Sequence, residues 1–221
     1  MLSNIKACIF DLDGTVVDSM WVWGSIDYEY LKKHGHEVPS DMKQDIEGAS
    51  IREVVVYFKE RFGIDDSIET IMDDWNKMAF QKYSNEIWLK PHIKDFLNYL
   101  KENDIKIGLS TSNSRVLAEA ALGNLGVLEY FDGISAGCAD IKGKPEPDIY
   151  LLTASILGVK PEECLVFEDL CKGIMAGKNA GMKTVAVKDD YSDYQLEEKI
   201  EMADYYIEDY IEVYRNNENT D

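Results

Sequence analysis

Short apolar runs alternate with stretches of helical periodicity along most of the chain. A first run occupies residues 5–10, and a final edge strand is predicted at residues 204–207. The runs between them comprise residues 106–110, 133–136, 164–167 and 183–187. Short apolar runs that end in polar residues and are followed by helices are typical of buried parallel strands. The pattern therefore predicts an α/β fold with a doubly wound, Rossmann-like parallel sheet.

Residues 18–85 differ, because their apolar positions show helical spacing and they contain no strand candidate. Asp18 and Ser19 are good helix-capping residues, and Ser50-x-x-Glu53 is a capping box. We therefore predict an α-helical domain at residues 18–85, inserted into a core domain formed by residues 1–17 and 86–221.

The charge of the chain restricts its partners. With 221 residues and a formal net charge of −19, it is not expected to bind nucleic acid or an anionic membrane. No apolar run reaches the length of a membrane span, and residues 1–30 lack the regions of a signal peptide. The four cysteines are scattered, with no Cys-x-x-Cys pair. We expect a reduced, cytoplasmic protein.

Polar residues of chemical interest follow four of the predicted strands. Ligands of open α/β sheets bind at the carboxyl ends of the strands, where these residues would meet. They are Asp11 and Asp13 with Gly14, then Thr111, Ser112 and Asn113, then Lys144, and finally Glu168 with Asp169.

Each of these groups also has a plainer explanation. Asp11 to Gly14 can be a strand-ending turn, and Thr111 to Asn113 can cap the next helix. Lys144 can be a solvated loop lysine, and Glu168 can belong to one more acidic turn. Their occurrence after successive strands of one chain favours a shared site.

One kind of chemistry uses the whole set. A carboxylate can attack phosphorus and form an aspartyl phosphate, which divides one difficult hydrolysis into two steps. A divalent metal ion held by carboxylates offsets the repulsion between nucleophile and phosphate. A lysine, a hydroxyl group and backbone N–H groups, such as those of Gly14 and Thr15, can bind the phosphate oxygens.

Four segments of the chain resemble the motifs of the haloacid dehalogenase-like superfamily, in its branch of β-phosphoglucomutase-like phosphatases. The resemblance covers residues 5 to about 190. The segments are Phe10-Asp11-Leu12-Asp13-Gly14-Thr15-Val16, Leu109-Ser110-Thr111-Ser112-Asn113, Lys144-Pro145-Glu146-Pro147-Asp148 and Phe167-Glu168-Asp169. A departure is Leu170, where many relatives carry a serine after the acidic pair.

The resemblance implies a role for each of these residues. Asp11 would be the nucleophile and Asp13 the general acid and base. Mg²⁺ would be bound by Asp11, the Asp13 carbonyl oxygen and Asp169, with Glu168 beside them. Phosphate would contact Thr111 and Lys144, and the neighbouring Gly14, Ser112 and Asn113 are further candidates. The helical insert would be the cap that covers the site.

Residues of the predicted cap are harder to assign. Arg52 follows Gly48-Ala49-Ser50, which resembles a cap loop that faces the core site. It is a candidate for a second phosphate or a substrate carboxylate, and is equally well explained as a surface arginine. Four tryptophans are candidates to line a pocket, although helical spacing favours a place in the cap core for three of them. They are Trp21, Trp23, Trp75 and Trp88. His34, His36 and His92 form no metal pattern and are predicted at the surface.

We therefore expect a monomeric, Mg²⁺-dependent phosphatase that hydrolyses a small phosphorylated metabolite resembling a sugar phosphate. A sugar phosphomutase of the β-phosphoglucomutase type is the alternative, and a non-catalytic phosphate-binding protein is a less favoured one. Mutases of this branch resemble one another in a cap histidine and in an arginine directly after Gly-x-Ser. Here Trp23 and Ile51 hold these places, and an arginine follows only at Arg52. This difference favours hydrolysis.

Overall fold

The computed structural model describes residues 1–46, 51–137 and 142–215. Its contacts divide the chain into two compact units. The first consists of Met1–Ser19 and Ile87–Asp221, and the second is Met20–Glu86. Among the described residues, no helix combines the length and apolar character that crossing a membrane requires.

The first unit contains a six-stranded sheet in which every neighbouring pair is parallel. Its strands are β1 (Ala7–Phe10), β4 (Lys106–Thr111), β5 (Gly133–Ala136), β6 (Cys164–Glu168), β7 (Lys183–Val187) and β8 (Tyr205–Ile207). Along the sheet they follow the order β5-β4-β1-β6-β7-β8. The predicted α/β fold with a parallel sheet is confirmed, because each predicted run became a strand of this sheet.

Helices cover both faces of this sheet. They are α5 (Ile93–Glu102), α6 (Arg115–Asn124), α7 (Asp148–Leu157), α8 (Cys171–Asn179), α9 (Leu196–Met202) and α10 (Ile211–Tyr214). Successive strand residues point to opposite faces. Accordingly Ile9 packs in a cluster with Tyr150 of α7 and Ala176 of α8. Phe10 faces the other way and contacts Phe96 of α5.

An aromatic cluster fills the space between α5 and the face of the sheet on which Phe10 lies. The Phe10 and Phe167 rings stack with their centroids 4.8 Å apart, across neighbouring strands. Phe96 and Tyr210 pack against the same pair. Burying several large rings directly beneath the ends of β1 and β6 gives the residues that follow these strands a rigid base.

A short antiparallel ribbon marks the points where the chain leaves the first unit and returns to it. Strand β2 (Val17–Asp18) pairs with β3 (Trp88–Leu89). The sequence did not predict it, because two residues carry no periodicity. Asp18 therefore belongs to a strand, and the N-cap residue of the helix that follows is Met20. The Ser19 hydroxyl group donates to Asp13 at 2.6 Å.

The described part of the second unit contains four helices: α1 (Trp21–Lys33), α2 (Met42–Ile46), α3 (Ile51–Phe62) and α4 (Ile68–Asn85). Its core includes Tyr30, Phe58 and Trp75, whose rings meet edge to face. Ser67 caps α4 by accepting a hydrogen bond from the Thr70 N–H. The predicted capping box begins at Ser50, which lies outside the described residues.

The tryptophans and histidines differ in part from expectation. Of the four tryptophans, Trp75 alone is buried, whereas Trp88 is 63% exposed. Trp21 and Trp23 are half-buried, so the expectation of three core tryptophans was wrong. His34 and His36 lie at the surface only in part, because their rings pack against Tyr30 and Phe62. His92 is exposed as expected, and its Nδ1 atom lies 2.8 Å from Asp209.

Candidate active site

The candidate site lies at the carboxyl ends of three adjacent strands of the first unit. Strand β1 lies between β4 and β6, with Phe10 paired to both Leu109 and Phe167. The residues that end or follow these strands are consequently neighbours. They are Asp11 after β1, Thr111 at the end of β4, and Glu168 with Asp169 at the end of β6.

Lys144 binds two of these carboxylates. Its Nζ atom lies 2.6 Å from Oδ1 of Asp11 and 2.5 Å from Oε1 of Glu168. It also donates to the Ser110 carbonyl oxygen at 3.2 Å. Only 11% of the Lys144 side chain is exposed. Lys144 is therefore not a solvated loop lysine, because all three of its donors have partners inside the site.

Two residues that the sequence did not identify determine the position of the Glu168 carboxylate. The hydroxyl group of the fully buried Tyr150 donates to Glu168 Oε1 at 2.7 Å. A Cβ atom added at Gly173 would lie 1.8 Å from the same oxygen. Glycine at this position thus leaves the space that the carboxylate occupies. A tyrosine in a helix of apolar periodicity is expected in the core, and the sequence contains no signal for the contact of its hydroxyl group.

Asp169 is buried and has few partners for its carboxylate. Oδ1 accepts a long hydrogen bond of 3.4 Å from Thr15 Oγ1. Oδ2 is buried and has no hydrogen-bond partner among the described residues. Such an oxygen is costly to bury unless a ligand satisfies it.

The donor set fits a divalent cation. One carboxylate oxygen each from Asp11, Glu168 and Asp169 lies within 4.8 Å of the others, and all three residues are buried. Hard cations such as Mg²⁺ prefer oxygen ligands of this kind. The unpaired Oδ2 of Asp169 is the observation that most favours a metal ion here, since neither oxygen of this carboxylate contacts Lys144.

The pKa values of the site residues are shifted as expected for an excess of buried negative charge. Burial raises the pKa of Asp11 to about 8; the Lys144 ammonium opposes this rise and the Glu168 carboxylate adds to it. Burial likewise raises the pKa of Asp169 well above its ordinary value, and Glu168 adds to that rise. Burial would lower the pKa of Lys144, but Asp11 and Glu168 together raise it well above its usual range. A bound cation would relieve this repulsion.

Asp13 is oriented by two side chains. Its Oδ1 atom accepts from Ser19 Oγ at 2.6 Å, and its Oδ2 atom accepts from Asn113 Nδ2 at 3.3 Å. Asp13 is half-buried, whereas Asp11 is 8% exposed. The two carboxylates therefore have different environments, as separate chemical roles require.

The turn after Asp13 corrects one expectation. Gly14 has a φ of 74°, which favours glycine. Its N–H donates to the Val17 carbonyl oxygen at 2.9 Å, and the Thr15 N–H donates to Leu12 at 3.4 Å. The expectation that these two N–H groups point at an anion was wrong, because the turn uses both of them internally.

Thr111, Ser112 and Asn113 are not the capping residues of the next helix. Ser114 is the N-cap of α6, and its hydroxyl oxygen accepts from the Leu117 N–H. Thr111 is buried, and its Oγ1 atom accepts from the Asn113 N–H at 3.0 Å. Ser112 is exposed. Asn113 contacts Asp13, whereas Thr111 ends the strand next to β1 and its hydroxyl group is used in the turn. The helix-cap interpretation applies to neither residue.

Arg52 and the loop before it remain predictions. Arg52 is exposed on α3 of the second unit. Residues 47–50, which include the predicted cap loop, lie outside the described residues, as do residues 138–141 before Lys144.

The site consists of a buried aspartate, an ammonium group and an acidic triad at the carboxyl edge of a parallel sheet. This combination is typical of one class of hydrolases. The model of the haloacid dehalogenase-like hydrolase family matches residues 8–187. The chain belongs to this family.

Individual relatives and structures agree with this assignment. A phosphorylated carbohydrates phosphatase of Thermotoga maritima is 30% identical over 181 residues, which are 82% of this chain and 84% of the relative. A β-phosphoglucomutase of Bacillus subtilis is 34% identical over 200 residues, which are 83% of each chain. The crystal structure of CbbY from Rhodobacter sphaeroides in complex with phosphate superimposes with a TM-score of 0.80 at 25% identity. This match covers 95% of this chain and 96% of that one.

These matches confirm the predicted family and its β-phosphoglucomutase-like branch. They also confirm the expected class of enzyme, a phosphoric monoester hydrolase.

Proposed function

We propose that this protein is a Mg²⁺-dependent phosphatase that hydrolyses a small phosphorylated metabolite through an aspartyl phosphate on Asp11. The observation that carries the proposal is the position of Asp11. Its carboxylate contacts the Lys144 ammonium at 2.6 Å and belongs to the buried triad with Glu168 and Asp169. A nucleophile placed among cationic groups can approach a phosphate dianion that it would otherwise repel.

In the first half of the reaction, a carboxylate oxygen of Asp11 attacks phosphorus. The bond from phosphorus to the ester oxygen breaks, and the departing oxygen takes a proton from Asp13. Ser19 and Asn113 hold the Asp13 carboxyl group for this transfer through the two contacts described above.

In the second half, Asp13 takes a proton from water, and the water oxygen attacks phosphorus of the aspartyl phosphate. The bond between phosphorus and Asp11 breaks, which releases inorganic phosphate and restores both aspartates. Lys144 offsets negative charge on the phosphoryl oxygens in both halves. A divalent cation bound by Asp11, Glu168 and Asp169 would supply further charge neutralisation.

The proposed substrate class is a sugar phosphate or a similar small metabolite. The names of the two relatives described above, a phosphatase of phosphorylated carbohydrates and a β-phosphoglucomutase, both concern sugar phosphates. We further assign the helical unit Met20–Glu86 as the cap that selects the leaving group, with Arg52 as a substrate-binding candidate. Its insertion between the Asp13 turn and β4 supports this assignment.

A screen of phosphorylated metabolites tests the proposal. Phosphate release is measured with Mg²⁺ and after exhaustive chelation with EDTA, for the wild type and for Asp11→Asn. Turnover that needs both Mg²⁺ and Asp11 is the expected result. Asp95→Asn, on an exposed position of α5, serves as the matched control and should retain activity. Turnover by Asp11→Asn at the wild-type rate would exclude the covalent mechanism, and phosphate binding without turnover would indicate a non-catalytic protein.

The mutase alternative is supported by the Bacillus subtilis relative and has its own test. The protein is incubated with β-glucose 1-phosphate and a bisphosphate primer, and both products are followed. We expect free phosphate to accumulate faster than glucose 6-phosphate, because Trp23 cannot relay a proton as a histidine does. The opposite order would assign the protein to the mutases.

A further inference from the structure

A second buried ammonium group is linked to the acidic triad through the backbone of Asp169. Lys199 of α9 is 0% exposed, and its Nζ atom donates to Ser192 Oγ at 2.9 Å. Ser192 is also 0% exposed, and its hydroxyl group lies 3.0 Å from the Asp169 carbonyl oxygen. A chain of two hydrogen bonds thus joins Lys199 to the backbone of Asp169.

The direction of these hydrogen bonds follows from the chemistry of the groups. A lysine ammonium has three donors and no acceptor, so the Ser192 oxygen must accept from Lys199. The single hydroxyl proton of Ser192 is then directed to the carbonyl oxygens of Asp169 and Asp189, the latter at 3.2 Å. Lys199 therefore fixes Ser192 as a donor that ties the loop after β6 to the loop after β7.

Asp169 needs such an anchor. It follows the last residue of β6, so its carbonyl group lies beyond the paired part of the strand. Its side chain has only the long contact from Thr15, and Oδ2 has no hydrogen-bond partner among the described residues. The direction of the carboxylate is consequently set by the backbone, which Ser192 holds.

Charge points to the same role. Burial lowers the pKa of Lys199, and the carboxylates of Asp169 and Asp189 oppose that change. The Lys144 ammonium group offsets the negative charges of Asp11 and Glu168. The negative charge of Asp169 is opposed by Lys199. A buried lysine that served only to fill space would carry an unnecessary desolvation cost.

We propose that Lys199 and Ser192 are positioning residues of the metal site, which hold the Asp169 backbone so that its carboxylate faces the bound cation. This inference rests on the proposed function, because it presupposes that Asp169 binds a divalent ion. Neither residue belongs to the four motifs, and both act through Asp169 without contacting the substrate.

The test measures Mg²⁺ binding directly, without substrate. The dissociation constant is determined by isothermal titration calorimetry for the wild type, Ser192→Ala and Lys199→Met, and the melting temperature of each metal-free protein is recorded. We expect each substitution to weaken Mg²⁺ binding by about tenfold, since loss of outer-shell partners costs 10–100-fold in metal affinity. The double variant should lose no more than either single variant, because the two residues act as one unit.

Lys82→Met provides the matched control. Lys82 is also a buried lysine, with a side chain 7% exposed that is ion-paired to Glu29 at 2.7 Å, but it belongs to the helical unit. This variant should lower the melting temperature and leave Mg²⁺ affinity unchanged.

Three results would overturn the inference. They are wild-type Mg²⁺ affinity in folded Ser192→Ala and Lys199→Met, an equal loss of affinity in Lys82→Met, and additive losses in the double variant. Failure of the wild type to bind Mg²⁺ would overturn the proposed metal-dependent function itself, and this inference with it.

Discussion

The Nζ atom of Lys144 and the Oδ1 atom of Asp11 lie 2.6 Å apart, although 133 positions separate the two residues in the chain. The same ammonium group also contacts Glu168. One cation thus holds two buried carboxylates together, and its removal leaves them facing each other without compensation.

Lys144→Met should consequently affect stability and catalysis together. Removal of one partner from a buried ion pair costs about 3–5 kcal/mol in the free energy of unfolding. Turnover should fall by about 10²–10³-fold, as for other losses of a charge-stabilising donor. Urea unfolding and phosphate-release assays measure the two effects.

Lys142→Met is the matched control for this substitution. Lys142 lies two residues away and is exposed, so its replacement should change neither quantity. Turnover of Lys144→Met within threefold of the wild type would contradict the assigned role of Lys144.

Asp169→Ala should raise the Mg²⁺ concentration needed for half-maximal activity. The substitution removes a buried carboxylate whose Oδ2 atom has no other partner among the described residues. We expect an increase of more than about tenfold, because even outer-shell changes reach that size. Initial rates across a Mg²⁺ titration measure it, and Asp95→Asn should follow the wild-type curve. An unchanged midpoint would remove Asp169 from the metal site.

Gly173→Ala should impair activity by displacing Glu168. The new methyl group would lie 1.8 Å from Glu168 Oε1, so the carboxylate must move. We expect destabilisation of about 1–3 kcal/mol, as for other overpacked sites, together with loss of most phosphatase activity.

Gly123→Ala is the corresponding control in a second helix. Among the described residues outside its own helix backbone, its methyl group would meet only Leu128 Cδ2, at 3.9 Å. Gly123 lies in the last turn of α6, where alanine is favoured over glycine by at most about 0.5–1 kcal/mol. This variant should therefore melt no lower than the wild type and keep full activity. Equal activity in the two alanine variants would show that the position of Glu168 is unimportant.

Asp27 should make the helical unit less stable as pH rises. Burial raises the pKa of Asp27 from 3.8 to about 7. Between these values the folded state binds more protons than the unfolded state, so the free energy of unfolding falls with increasing pH. Above pH 7 the folded state bears the full cost of a partly buried, ionised carboxylate.

Asp27→Asn removes this ionisable group and isolates its effect. The stability of the variant relative to the wild type should increase from pH 4 to pH 7, as measured by urea unfolding at several pH values. Asp65→Asn, an exposed position of the same unit, is the control. A stability difference for Asp27→Asn that does not vary with pH would contradict the burial effect.

Much of the core site followed from the sequence. Asp11, Thr111 and Glu168 each end or follow an apolar run, and adjacent parallel strands bring their carboxyl ends to one edge. Strand positions were predictable because a strand buried on both faces must be apolar throughout.

Hydrogen bonds within turns were not predictable from the same signals. The sequence shows that Gly14 permits a tight turn, but not that its N–H bonds to Val17. Residue type limits the conformations of a turn, whereas the partner of each N–H depends on the final path of the backbone.

The sequence by itself determined the sheet, the helical insert's periodicity and the identity of the chemical groups, since these depend on local apolar patterns and residue type. Tertiary structure alone decided which side chains hold those groups. Tyr150 reaches Glu168 across 18 positions, and Ser192 reaches Asp169 across 23. A buried tyrosine and a serine beside a turn look ordinary in the sequence, because their partners are set by how α7 and the loop after β7 pack against β6. Packing places these donors within hydrogen-bond distance, and no local pattern encodes that distance.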